Sequence, residues 1–166
     1  MKKIIKPSVI SFLIILVIIQ FIRPPKNLLT SPGPNDITSQ YPTPDTVMKI
    51  LQVACFDCHS NNTRYPWYSR IQPVYWWLNS HINDGKEALN FSEFMEYPVR
   101  RQYKRLQGII HEVKEGSMPL TSYVWIHHDA KLNNTQKSML INWVTAIQTS
   151  IKLKYPSDSL KNLRPD

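Results

Sequence analysis

Thiols are scarce in this 166-residue chain, whose only cysteines are Cys55 and Cys58. No second cysteine pair is there to complete the tetrahedral set of a structural zinc site, so zinc is a poor fit. Nothing around Cys55 alternates like a strand, which removes the βαβ setting that a thioredoxin-like C-x-x-C requires. A disulfide between thiols so close in sequence would close a very short loop and add little stability. Acidic residues are missing where bases gather: Lys2, Lys3, Lys6, Arg23 and Lys26 fall in the first 26 positions with no Asp or Glu among them. The formal charge of +8 is concentrated there, and residues 27–166 carry 15 bases against 12 acids, a balance of only +3. With no recognisable nucleic-acid motif either, DNA and RNA drop out as partners. Long hydrophobic runs are lacking too. The one candidate, Val9 to Ile22, is broken by Ser11 and Gln20, and with Pro7 and Ser8 it only approaches the ~17 residues a spanning helix needs.

That run still has the layout of a targeting segment. Three lysines precede it and Arg23-Pro24-Pro25-Lys26 stops it. Bulky Gln20-Phe21-Ile22, in place of a small-residue cleavage pattern, favours an uncleaved signal anchor over a cleaved signal peptide. Residues 1–26 are therefore expected to form a single-pass transmembrane helix in a bacterial inner membrane. The lysine excess before the run puts the N-terminus in the cytoplasm and the rest in the periplasm. Residues 27–42, with Pro32, Gly33, Pro34 and Pro42 among polar residues, read as a flexible linker.

What the chain does have is Cys55-Phe56-Asp57-Cys58-His59. Two thiols three residues apart can each add across a vinyl group of one haem, with the following histidine placed to bind the iron, which is the pattern of a c-type attachment site. One covalent haem c, held by Cys55, Cys58 and His59, is the expected cofactor. For the second axial position Met118 is favoured, because Gly116-Ser117-Met118-Pro119 places its sulfur on a constrained loop. His81 is the alternative, and either His127 or His128 could also replace Met118. Arg64, Tyr65 and Trp67, just after the motif, are candidate haem contacts, through propionates or ring walls. The basic run Arg100, Arg101, Lys104 and Arg105 reads as a solvated helix surface or a docking face for an acidic redox partner.

Periodicity predicts an all-α domain over residues 43–155, with four to five helices around the haem. A first helix is expected from Thr43 as cap and Pro44 as first residue, with Val47, Ile50, Leu51 and Ala54 on one face leading into Cys55. A second should start near Pro73 and end before Gly85. Ser92 is expected to cap a short helix broken at Pro98. Tyr103, Leu106, Ile109, Ile110 and Val113 share a face of a helix over 99–115 that Gly116 stops. Asn133 and Gln136 form a capping box ahead of a stripe of Leu140, Trp143, Val144, Ile147 and Ile151. Residues 156–166 read as a disordered tail.

The attachment motif, the Gly116-Ser-Met118-Pro119 loop and a terminal helix holding Trp143 look like a class I cytochrome c. More closely, His59-Ser-Asn-Asn-Thr-Arg-Tyr-Pro-Trp-Tyr-Ser, His81-Ile and Leu89-Asn-Phe-Ser resemble the haem-binding domain family of small membrane-anchored proteins from Bacteroidota-type bacteria. Phe94 and Lys86 stand where that family's pattern has Trp and Arg. The resemblance implies covalent haem c, a cytochrome-like helical fold and a periplasmic face. With both axial positions filled, the expectation is one-electron transfer to an unknown redox partner and not an enzyme. If Met118 does not bind, the alternatives are a five-coordinate haem sensor, a peroxidase-type module, or a haem subunit of a larger redox complex.

Overall fold

A computed structural model describes residues 2–29 and 32–160. Among them are eight α-helices and no strand: α1 (Lys2–Ile19), α2 (Ile37–Gln40), α3 (Asp45–Ala54), α4 (Phe56–His59), α5 (Val74–Ala88), α6 (Val99–Glu115), α7 (Thr121–Val124) and α8 (Asn134–Lys154). Three short 3-10 turns lie between them and a fourth follows α8. The all-α expectation holds. The elements are more numerous than expected, because the turns beside the attachment motif and the Met118 loop are themselves short helices.

α8 forms as its sequence dictates. The Asn133 side chain accepts from the Gln136 amide while the Gln136 side chain accepts from the Asn133 amide, closing a capping box worth about 1 kcal/mol. Leu140, Trp143, Val144, Ile147 and Ile151 are all buried. They pack against α6 and α3, in one cluster with Val47, Ile50, Leu51, Leu106 and Val113. Each such side chain contributes roughly 1.5–3 kcal/mol when fully buried. Gly116, at φ +76°, ends α6 as expected.

Several boundaries differ from the sequence expectations. α3 is capped by Pro44, not Thr43, because the Thr43 hydroxyl instead donates to the Tyr41 carbonyl. Asn90, not Ser92, caps the 3-10 turn Phe91–Glu96, its side chain accepting from the Ser92 amide. α5 continues through Gly85 to Ala88, for a packing reason given below. Residues 27–42 do not hang free: Asp36 and Ile37 are buried and α2 lies in this segment. The side chain of Asn27 donates to the Ser60 carbonyl and the Thr63 hydroxyl. In the expected tail, Ser157–Leu160 is a 3-10 turn with Leu160 against the core, and residues 161–166 lie outside the described residues.

The transmembrane expectation also needs correction. No helix among the described residues is long and apolar enough to cross a membrane. α1 carries all three lysines and stops at Ile19, with Gln20, Phe21 and Ile22 closing i to i−3 turns after it. The apolar part that remains helical, Val9–Ile19, rises only about 16 Å, roughly half a bilayer's hydrocarbon thickness.

Candidate functional site

The attachment motif sits where the chain bends between two helices. α3 delivers Cys55, whose φ/ψ of −128°/−46° breaks the helix, and α4 then carries Cys58 and His59. Both thiols are free. Burial pushes the Cys55 thiol up to about 12, with Cys58 adding to the effect. Cys58 is pushed up to about 11, by burial and then by the nearby Asp57 charge.

His59 is held by the end of α5. Its Nδ1 lies 2.8 Å from the Gly85 carbonyl and 3.0 Å from the Leu89 carbonyl. Two acceptors on one ring nitrogen require that nitrogen to carry the proton, which makes Nε2 the lone-pair nitrogen. Nε2 has no hydrogen-bond partner among the described residues. α4 can come this close only because Gly85 has no side chain: a Cβ there would stand 2.6 Å from the Cys58 carbonyl oxygen and 3.1 Å from the Cys58 Cβ. That close approach is why α5 keeps a glycine inside it, where a C-terminal stop was expected.

Burial lowers the His59 pKa below its ordinary 6.5, and the two carbonyls offset only part of that. Below pH 6.5 the unfolded chain then binds more protons at this position than the folded one, so folded stability falls with acid. In the haem-free protein, the contribution of neutral His59 should be complete above that pH and lost as pH drops through its lowered folded value. Urea midpoints of haem-free wild type and His59→Gln, measured from about pH 7.5 downward, should therefore converge in acid. A gap that widens in acid would contradict this.

Two adjoining cavities open beside the motif, of about 310 and 330 Å³. Cys55, His59, Ala88, Val113 and Met118 line both. Met118 arrives because the positive φ of Gly116 curls the chain back, so that the amides of Ser117 and Met118 both reach the Glu112 carbonyl, at 3.1 and 3.3 Å. His81 lines the first cavity only; its Nδ1 bonds the Trp77 carbonyl at 2.9 Å and its ring lies against Trp77. Among the four candidates for the second axial position, the structure thus brings Met118 and His81 to the site. It does not bring His127, whose Nε2 bonds the Tyr68 hydroxyl at 2.8 Å, or His128, which is exposed.

The three expected haem contacts lie elsewhere. Arg64 pairs with Asp57, Nε to Oδ1 at 3.2 Å. Tyr65 accepts from the Asn27 amide and lies edge-on to Tyr75. Trp67 is 75% exposed. None of them lines either cavity. The Ser60–Asn62 turn and Thr63 lead the chain away from the cavity side, with the Thr63 hydroxyl bonded to the Asp57 carbonyl.

Other residues take these places. Asp57, inside the motif, is buried and accepts from the Arg64 amide at 3.0 Å and from the Tyr123 hydroxyl at 2.7 Å. Tyr123 lines the first cavity and stacks on His127; burial, and then Asp57, push its pKa up. Arg105, Gly108, Ile109 and Glu112 line the second cavity, and the Arg105 Nε is buried without a hydrogen-bond partner among the described residues. A sequence signal for this wall existed: a mid-helix glycine, Gly108, with Arg105 three residues before it and Glu112 four after it marks a face that leaves room. The donor set suits haem. A nitrogen ligand with its tautomer set, two thiols, a thioether and an orphaned guanidinium nitrogen match an iron, two vinyls and a propionate.

No curated protein and no solved structure matches the chain. The haem-binding domain model does match, over residues 14–146, a span that takes in the attachment motif, the Met118 loop and both cavity walls. A match over most of the chain, falling on the residues that build this site, places the protein in the haem-binding domain family.

Proposed function

We propose that the protein is a membrane-attached c-type cytochrome that holds one covalent haem and exchanges single electrons with a redox partner on the outer face of the inner membrane. One observation carries this most directly: the double carbonyl grip on His59 Nδ1. Such a second partner sets the tautomer and ring orientation of a metal-binding histidine and raises its basicity. Cys55 and Cys58 supply the thioethers, each S–H adding across a vinyl with nothing leaving. His59 offers Nε2 to the iron, and Met118 is the better second ligand than His81, because it borders both cavities that His59 borders. Arg105 holds a propionate, in place of Arg64, Tyr65 and Trp67. When bound, the haem supplies a one-electron couple, and a thioether ligand keeps its potential high. Val113, Ala88 and Leu132 keep water from the first cavity, whose lining is mostly apolar. α1 supplies the membrane attachment, with an apolar surface inserted in lipid behind its lysines.

Intact mass decides the first part. Made in a host with a c-type maturation system, the polypeptide should exceed its 19.4 kDa sequence mass by one haem. Cys55→Ala/Cys58→Ala should return it to the mass of its amino acids. A wild-type mass with no addition would end the covalent proposal.

A further inference from the structure

The end of α1 is clamped to the domain at one place. Gln20 and Gln72 exchange hydrogen bonds, Gln20 Nε2 to the Gln72 carbonyl at 3.2 Å and the Gln72 amide to Gln20 Oε1 at 2.9 Å. Gln72 Nε2 and Trp76 Nε1 both donate to the Ile22 carbonyl at 2.9 Å. Arg23 reaches the Arg70 carbonyl and the Tyr75 hydroxyl reaches the Pro24 carbonyl. Before this clamp α1 is largely bare, its exposed apolar residues running from 49% at Val9 to 61% at Val17, with only Leu16 and Ile19 of its described residues half-buried. The helix therefore leaves the domain at a set point, not from a loose tether.

Around that point the domain surface is apolar and aromatic. Trp67, Ile71, Val74 and Trp77 are all exposed, Ile71 and Val74 directly flanking Gln72 and Pro73. Ile126 adjoins them, sharing a small cavity with Trp77 and Tyr68, and Trp125 beside it is also exposed. There is no acidic residue from Cys58 to Asn83 or anywhere before Asp36, while Arg23, Lys26 and Arg70 lie among these residues. An apolar face rich in tryptophan, with no acid in residues 1–35 or 58–83, edged by arginine and lysine and continuous with a largely bare apolar helix matches one surface: the interfacial layer of an anionic bilayer.

We infer that Trp67, Ile71, Val74 and Trp77 dock into the headgroup layer of the bilayer that takes α1, so that the domain is held against the membrane in one orientation. The inference rests on the membrane attachment proposed above. It places the small Tyr68, Trp77 and Ile126 cavity, which Cys58 and His81 also line, toward the lipid. The second cavity, walled by α6, is left for the redox partner.

Fluorine NMR tests it on the full chain labelled with 5-fluorotryptophan, in nanodiscs of phosphatidylethanolamine and phosphatidylglycerol with and without a gadolinium-chelating lipid. Tryptophan-to-phenylalanine variants assign the five lines. The Trp67 and Trp77 lines should broaden severalfold more on adding gadolinium than the line of Trp143, which is buried with its Nε1 on the Pro42 carbonyl. Equal broadening of all three in protein that stays on the discs would overturn the docking while leaving α1 attachment intact, and would turn this face over to a protein partner. Protein that fails to remain on the discs would remove the membrane attachment, and the docking with it.

Discussion

Gly85→Ala is expected to destabilise the haem-free domain by about 1–3 kcal/mol, the usual cost of forcing extra atoms into a packed contact, and to lower the yield of haem-loaded protein. The methyl group would meet the Cys58 carbonyl oxygen at 2.6 Å, and a backbone atom cannot swing aside as a side-chain tip can. Relief requires α4 to move off α5. That movement lengthens the hydrogen bond from His59 to the Gly85 carbonyl, 2.8 Å in the folded chain, so the same change loosens the imidazole. Urea midpoints report the stability, and absorbance per mole of purified protein reports the haem. Gly108→Ala is the comparison, since a Cβ there meets nothing within 4 Å and alanine should gain up to about 1 kcal/mol in a helix interior. Equal midpoints for Gly85→Ala and wild type would show that the two helices are not held together as described.

Met118→Ala is expected to change the haem and spare the fold. Met118 is only partly buried, on a loop outside the main core, so its truncation should cost well below the ~2–5 kcal/mol typical of a fully buried methionine. In the oxidised protein the weak sulfur-to-iron charge-transfer band should disappear. The reduced variant should bind carbon monoxide near neutral pH and the wild type should resist it, and the potential should fall in the variant, since His/Met ligation raises it. An unchanged spectrum would move the second axial bond to His81, the other candidate lining the first cavity. His81→Ala should then produce the loss instead. Because His127 is tied to Tyr68 and His128 is exposed, variants at those two positions should leave the spectrum as it is.

Most of what was legible in the sequence was local. The capping box at Asn133, the αL stop at Gly116 and the buried stripe of α8 depend on residues within about three helical turns of each other, and all appear where expected. Competing local bonds misled elsewhere: Thr43 turned back to Tyr41, and Asn90 took the cap assigned to Ser92. Gly85 was read as lying just past the end of the second helix. Its reason lies across the chain at Cys58, 27 positions away, and no window of sequence contains both. Arg64, Tyr65 and Trp67 were judged by nearness to His59 along the chain. A helical turn followed by an extended exit sends them to the other side of Asp57, toward Asn27 and solvent.

By itself, the sequence determined the chemistry available here: two thiols and an imidazole at the spacing haem needs, a thioether behind a glycine stop, and an apolar, basic leading segment. Those follow from residue identity and short-range geometry, which covalent structure enforces wherever the chain goes. Only the tertiary structure decided which groups meet. It set the His59 tautomer through the Gly85 and Leu89 carbonyls at the end of α5, brought Met118 and His81 to the cavity while leaving His127 and His128 out, left the Arg105 Nε buried with no hydrogen-bond partner among the described residues, and clamped the exit of α1 at Gln72. The physical reason is that each of these depends on helices far apart in sequence packing together, and burial of the shared core, not any local preference, fixes where they touch.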